Sequence, residues 1–302
     1  MTLWTSVRDA GLVARFEVLR AIRTWRAMAL AVLYVVATAG GAYLFVQLIH
    51  SLESALAVQL GVPVTDQAGA MLDRLLEGDE LREILGEMLG DQALVDDVLR
   101  YPVLAIFHLW EGLILIPFFA ASISAESISI DMGSRALRFE ALRTGRLELV
   151  TGRFLGQAAL TAIASVLGIA GTWTIGILFL TGTEPLGLAT ALFWLTLRAW
   201  AFALPFVGLG VAFSQWTTSP NWARVMAVGA TAGTWVAYGM AHAWIDTRWG
   251  LLCDVTLQVL PQGWMQGLWH PAPGWLVSSG VCIALGFALV AAGYLRFARR
   301  DL

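Results

Sequence analysis

The sequence predicts an all-α membrane protein, a six-transmembrane-helix bundle, on three observations. Of 302 residues, 58% are hydrophobic and 14% charged, against about half apolar and a quarter charged in a soluble domain. Apolar runs of the ~20 residues that a hydrocarbon core of about 30 Å demands occur at 27–48, 102–124, 154–180, 188–213, 222–244 and 275–295. The alternating pattern of a membrane barrel is missing, so each span closes its hydrogen bonds within itself as a helix. The chain, 1–302, therefore reads as one transmembrane domain with four attachments, at 1–26, 49–100, 125–153 and 245–274.

The first attachment precedes the first span. Leu12, Phe16 and Leu19 share a helical face, and Arg8, Arg15 and Arg26 fall within about 20° of one another at 100° per residue. This describes an interfacial helix lying on lipid. The apolar run that follows has 22 residues, longer than a signal-peptide core and without a small-residue cleavage site, so the first span is expected to stay in the mature protein.

Orientation follows from arginine. All nineteen basic side chains are Arg and none is Lys, which excludes a P-loop lysine and Schiff-base catalysis from this polypeptide. Fourteen Arg lie in the N-terminal arm, the 125–153 connection, the start of the fifth span and the tail, and four lie on the other side. The positive-inside rule then puts both termini in the cytoplasm, and a bacterial inner membrane is the expected location. Trp25, Trp216, Trp222, Trp244 and Trp275 stand near span ends, as in an aromatic belt. A net charge of −3 gives no sign of nucleic-acid binding.

The exported stretch 49–100 holds eleven acidic residues against three Arg. Leu81, Ile84, Leu85, Met88 and Leu89 follow helical spacing, and Leu94, Val95, Val98 and Leu99 continue it, with breaks at Gly78 and Gly90. These short amphipathic helices form either a cap on the bundle or a dock for an extracytoplasmic accessory protein. Segment 245–274 carries Trp249, Trp264, Trp269, Pro261, Pro271 and Pro273, too interrupted to cross, and is expected to dip into the outer interface. Cys253 and Cys282 fit no metal spacing and no structural disulfide is expected.

The cytoplasmic connection 125–153 carries the most specific pattern. An acidic residue precedes Gly133, a short amphipathic helix is expected over 134–143, Gly145 interrupts it, and Arg-x-Glu-Leu-Val-x-Gly-Arg-Phe-Leu-Gly over 146–156 leads into the third span. Tethered between spans two and three and rich in both charges, it suits a soluble partner that grips it and moves both spans; contact with anionic headgroups is the alternative.

This stretch resembles the coupling helix of the type-2 ABC exporter permeases (ABC-2 type), with Gly133, Leu137, Glu148, Gly152, Arg153 and Phe154 the best-fitting positions. Arg135-Ala136 stands where Thr-Leu is usual, and Arg143-Thr144-Gly145-Arg146 replaces a Ser/Pro-rich turn. The ending over 296–302 and Leu260-Pro261 also resemble that family. The resemblance implies an ABC transporter permease, an exporter or translocator working as a homodimer with two copies of a separate ATP-binding subunit. ATP and Mg would sit on that partner, and this chain would hold no cofactor, metal or catalytic residue. ATPase coupling would fall to Glu126, Asp131, Gly133, Arg135, Leu137, Arg138, Phe139, Glu140, Arg143 and Arg146, with the interfacial helix of Arg8, Leu12, Arg15, Phe16 and Leu19 also meeting the ATPase.

Two charges lie deep in the spans, Glu111 and Arg198, each about 14–15 Å from the outer end, where insertion costs about 2.5–3.5 kcal/mol. Equal depth allows an ion pair, fixing register or lining a pathway with His108 one turn from Glu111. His108 itself reads first as a hydrogen-bonded core residue. Pro117 and Pro205 are expected to kink their spans. Small-residue stripes, Gly229, Gly233, Ala237 and Ala241 on span five and Gly280, Ala284, Ala288 and Ala292 on span six, suit helix packing or dimerisation. A secondary transporter is disfavoured by the absence of paired unwound spans, and a membrane hydrolase by the absence of a nucleophile–base set around Ser278-Ser279 or His108.

Overall fold

The computed structural model describes residues 3–61, 68–69, 86, 94–141 and 143–299. They are helical throughout, with no strand among them beyond a single bridge between Ala68 and Leu180. In chain order the helices are α1 Leu3–Arg23, α2 Trp25–Leu60, α3 Val95–Val98, α4 Val103–Ser124, α5 Ser129–Gly133, α6 Leu137–Ala141, α7 Arg146–Phe179, α8 Pro185–Trp216, α9 Pro220–Trp244, α10 Gly250–Val259 and α11 Gly274–Phe297. Among the described residues, five helices are long and apolar enough to cross a membrane: α2, α4, α7, α8 and α11. The expected sixth span is the 25-residue α9. Asn221, Arg224, Thr231, Thr234 and His242 leave it less apolar than the others.

Helices α4 and α8 form the buried centre, and α2, α7 and α11 stand around them. Small residues set how closely they approach. At Gly210 of α8 a Cβ would come within 2.8 Å of the Ala121 carbonyl of α4. The α8–α11 seam is closer still: Gly208 lies on the Gly286 carbonyl, and a Cβ on Gly293 would be 2.7 Å from Ala212 Cα. The stripe expected on the last span is thus not the packing seam, since Gly280 has open space and Ala284, Ala288 and Ala292 are exposed. Bulk on the facing helix, which periodicity does not report, decides which stripe packs. Pro117 and Pro205 lie buried inside α4 and α8, and both helices continue through them.

The two ends of the bundle differ. At the acidic end α2 runs on to Leu60 and stops at Gly61, whose φ of 65° is left-handed, a conformation glycine adopts without steric cost. Glu53 accepts from Gly69 N (2.8 Å), and Ala68 O receives Thr181 N (2.8 Å), so the described part of the 49–100 insertion is tied to the α7–α8 turn. Within α3, Val95 and Val98 face inward and Asp96 outward, in the amphipathic sense expected. The helices expected over 81–89 and the breaks at Gly78 and Gly90 lie outside the described residues. Segment 245–274 contains α10 and two short 3-10 turns, with Cys253, Pro261, Gln262, Leu268 and Trp269 buried against the bundle. Both cysteines are free and buried.

Candidate functional site: a charged elbow at the basic end

The opposite end gathers α1, the α4–α7 connection, the start of α9 and the end of α11. Helix α1 ends at Arg23, and extended backbone at Thr24 separates it from α2. Arg26 therefore belongs to α2 and not to the interfacial helix expected over 1–26. Leu12, Phe16 and Leu19 point away from the protein, with Arg8 and Arg15 also exposed, as on a helix whose apolar face meets lipid.

The protein-facing side of α1 is a different set, Ala10, Ala14, Glu17 and Ala21, at helical spacing. It lies against Gly152-x-x-x-Gly156 at the foot of α7: a Cβ on Gly152 would be 2.6 Å from the Ala10 carbonyl, and one on Gly156 would be 2.7 Å from Glu17 Cβ. Two glycines one turn apart thus let α1 lie directly on α7.

Between those glycines sits Arg153, fully buried. Its Nη1 donates to Glu17 of α1, and its Nη2 to Asp131 of α5 (2.6 Å) and Glu140 of α6 (2.7 Å). Glu17 also accepts from Gln157 Nε2 at 2.7 Å, and Asp131 from Arg20 Nη1 at 2.7 Å. One planar guanidinium fork therefore holds three carboxylates from three elements, a geometry that Lys, with a single ammonium, cannot reproduce.

A second set fixes the connection to α8 and α9. Arg224 pairs with Glu126, Ser214 Oγ lies 3.2 Å from Ser127 Oγ and accepts from Ile128 N (3.3 Å), and Gly133 sits where a Cβ would be 2.8 Å from the Thr218 carbonyl. Arg146 donates to Ala298 O (2.8 Å) at the C-terminal end of α11, where a cation also meets the helix dipole favourably. Ser6 Oγ donates to Glu148 (2.7 Å), closing α1 onto α7.

What remains faces outward. The helix expected over 134–143 is shorter, α6 spanning Leu137–Ala141, because Arg135 turns the chain in the left-handed region (φ 61°), which costs a non-glycine residue about 1 kcal/mol. Leu137 is buried, whereas Phe139 is 73% exposed and flanked by exposed Arg135, Arg138 and Arg143. The ten expected coupling residues thus divide into an inward set (Glu126, Asp131, Leu137, Glu140), an outward set (Arg135, Arg138, Phe139, Arg143), Gly133 packed beside Thr218 and Arg146 at the junction with α11. Glu17, Arg20 and Gln157 were not among the expected residues. Their signal was the Ala10-Ala14-Glu17-Ala21 face opposite a Gly-x-x-x-Gly.

The intramembrane residues do not come together. Arg198 donates to Leu268 O (2.9 Å) and to Tyr101 Oη (3.2 Å), and its guanidinium lies 5.4 Å from the Trp275 ring centroid. Glu111 faces Gly41 of α2, and its Oε2 has no hydrogen-bond partner among the described residues. The expected ion pair is absent, because equal depth does not fix the direction a side chain takes around its helix. His108 shares a hydrogen bond with Thr172 Oγ1 (2.9 Å), the core arrangement expected of it. A Cβ on Gly229 or Gly233 would have nothing within 4 Å among the described residues, so that half of the stripe is open, whereas Ala237 and buried Ala241 line a hollow beside α10.

These features define a multi-pass helical membrane protein whose helices converge on one charged elbow. The chain belongs to the ABC-2 family transporter proteins: the family model matches residues 12–249, from within α1 to just beyond α9 and so across the α4–α7 connection. No curated protein matches the chain significantly.

Proposed function

We propose that this chain is the permease subunit of an ATP-binding cassette exporter, with the ATPase carried by a separate subunit. The observation that carries the proposal is the division of the elbow: Phe139 and three Arg face outward, while Asp131 and Glu140 of the same segment are held by Arg153. A partner gripping the outer face pulls on α1, α4 and α7 together. In this reading α9 is a sixth crossing, both termini and the elbow are cytoplasmic in the inner membrane, and ATP with Mg binds the partner. Two permeases pair through the open Gly229-Gly233 face of α9, and two ATPase subunits complete the assembly. The described 49–100 residues and 245–274 then close the outer side.

Co-expression with each candidate ATP-binding cassette subunit from the same genome tests this. The intact chain is expected to co-purify with one such subunit and stimulate its ATPase activity. Phe139→Ala combined with Arg138→Glu should lower the stimulation at least tenfold while the permease remains monodisperse. Full stimulation by the double variant would overturn the docking assignment. Proton-coupled secondary transport is a second reading, favoured by the buried Glu111, whose Oε2 has no hydrogen-bond partner among the described residues; solute movement without nucleotide would select it.

A further inference from the structure

The angle between α1 and α2 holds a feature that ATPase coupling leaves unused. A charged cleft of about 540 Å³ opens there, walled by Arg20, Trp25, Arg26, Glu126, Asp131 and Arg224 among others. An apolar groove of about 700 Å³ continues from it between α2 and α7, and Ala21, Ala27 and Ile123 line both. On α2 the groove runs from Ala27 to Ala39, about 18 Å at 1.5 Å per residue. One leaflet of a bilayer core is about 15 Å deep, so the groove has the length of an extended acyl chain.

The charge pattern selects the headgroup. The acids of the cleft are already engaged: Glu126 by Arg224, Asp131 by Arg20 and Arg153, and Glu17 by Arg153 and Gln157. Arg26 has no carboxylate partner among the described residues, and exposed Arg23 stands beside it before the turn. Trp25 between them is 78% exposed, where an indole ring sits at headgroup depth. An uncommitted cation at the mouth of an apolar slot complements a phosphate carried on a hydrocarbon chain.

We propose that the joined cleft binds one anionic phospholipid, its phosphate at Arg26 and an acyl chain along the α2–α7 groove. The assignment requires only that the basic end lie at a membrane surface, not that an ATPase docks there. Bound in this way, the lipid wedges the α1–α2 angle and stiffens the platform under the elbow.

The test uses the full chain in detergent without any ATPase, titrated with phosphatidylglycerol or phosphatidylcholine of identical acyl chains and read by native mass spectrometry. One phosphatidylglycerol per chain is expected, retained at about fivefold lower concentration than phosphatidylcholine, the factor that one basic residue near an anionic surface supplies. Arg26→Gln should remove that preference. Ala31→Trp, which fills the groove, should lower retention of both lipids, and Leu276→Trp on the exposed face of α11 should change neither. Arg26 and Leu276 are exposed, so those variants lose no packing, and Ala31→Leu serves as the milder filler if the tryptophan disturbs folding. Equal retention of the two lipids, indifference to both groove fillers, or displacement by inorganic phosphate, which would mark a free-anion site, each overturns the proposal.

Discussion

Arg153 and Arg198 are both buried in consecutive long helices, yet different chemistry satisfies them. Arg153 reaches three carboxylates on α1, α5 and α6. Arg198 reaches one carbonyl, one phenol and two aromatic faces, and no carboxylate among the described residues. Each carboxylate on Arg153 belongs to a different element, so displacing any one of them would leave charge unpaired at a buried site. Arg198 instead ties Leu268 of the 245–274 segment to α8 with neutral partners. The larger buried ion-pair network among the described residues therefore lies at the basic end.

The largest expected effect sharpens that contrast. Replacing Arg153 by Leu strands three acids and should cost about 3–5 kcal/mol, the range for breaking a buried ion pair. Replacing Arg198 by Leu removes hydrogen bonds to neutral groups and should cost about 1–3 kcal/mol. Equilibrium unfolding in mild detergent with graded denaturant checks the order, and equal losses would break the comparison. A smaller effect concerns Glu111. Because it does not touch Arg198, the Arg198→Leu and Glu111→Gln effects should add within about 0.5 kcal/mol. A double variant clearly more stable than the sum of its parts would restore the ion pair that the structure denies.

Much of this was legible in the sequence. Apolar length gave the long helices, the charged 125–153 stretch gave the elbow, and helical spacing gave the exposed apolar face of α1 through Leu12, Phe16 and Leu19. What sequence periodicity did not give was azimuth and long-range partnership. Glu17 and Arg153 are 136 residues apart, and Glu17 sits between two apolar neighbours, Phe16 and Val18, where it reads as an isolated acid. Arg153 matched a motif position, but its role as a hub depends on how α1 lies on Gly152 and Gly156. Depth placed Glu111 and Arg198 at one level, whereas rotation around α4 and α8 sent one towards α2 and the other towards Leu268. The expected coupling residues lie in one continuous stretch, and only packing divides its inward from its outward members.

The most direct test of the elbow as the motor's handle places a single reactive thiol at Phe139 and another at Leu251, an exposed residue at the other end of the bundle. Native Cys253 and Cys282 are buried and serve as background. In membranes containing the assembled complex, Phe139→Cys should crosslink to the ATP-binding subunit with a yield that changes on nucleotide addition, and Leu251→Cys should react only with reagents from the opposite face. Crosslinking of the ATPase through position 251, with position 139 labelled from outside the cell, would contradict the account.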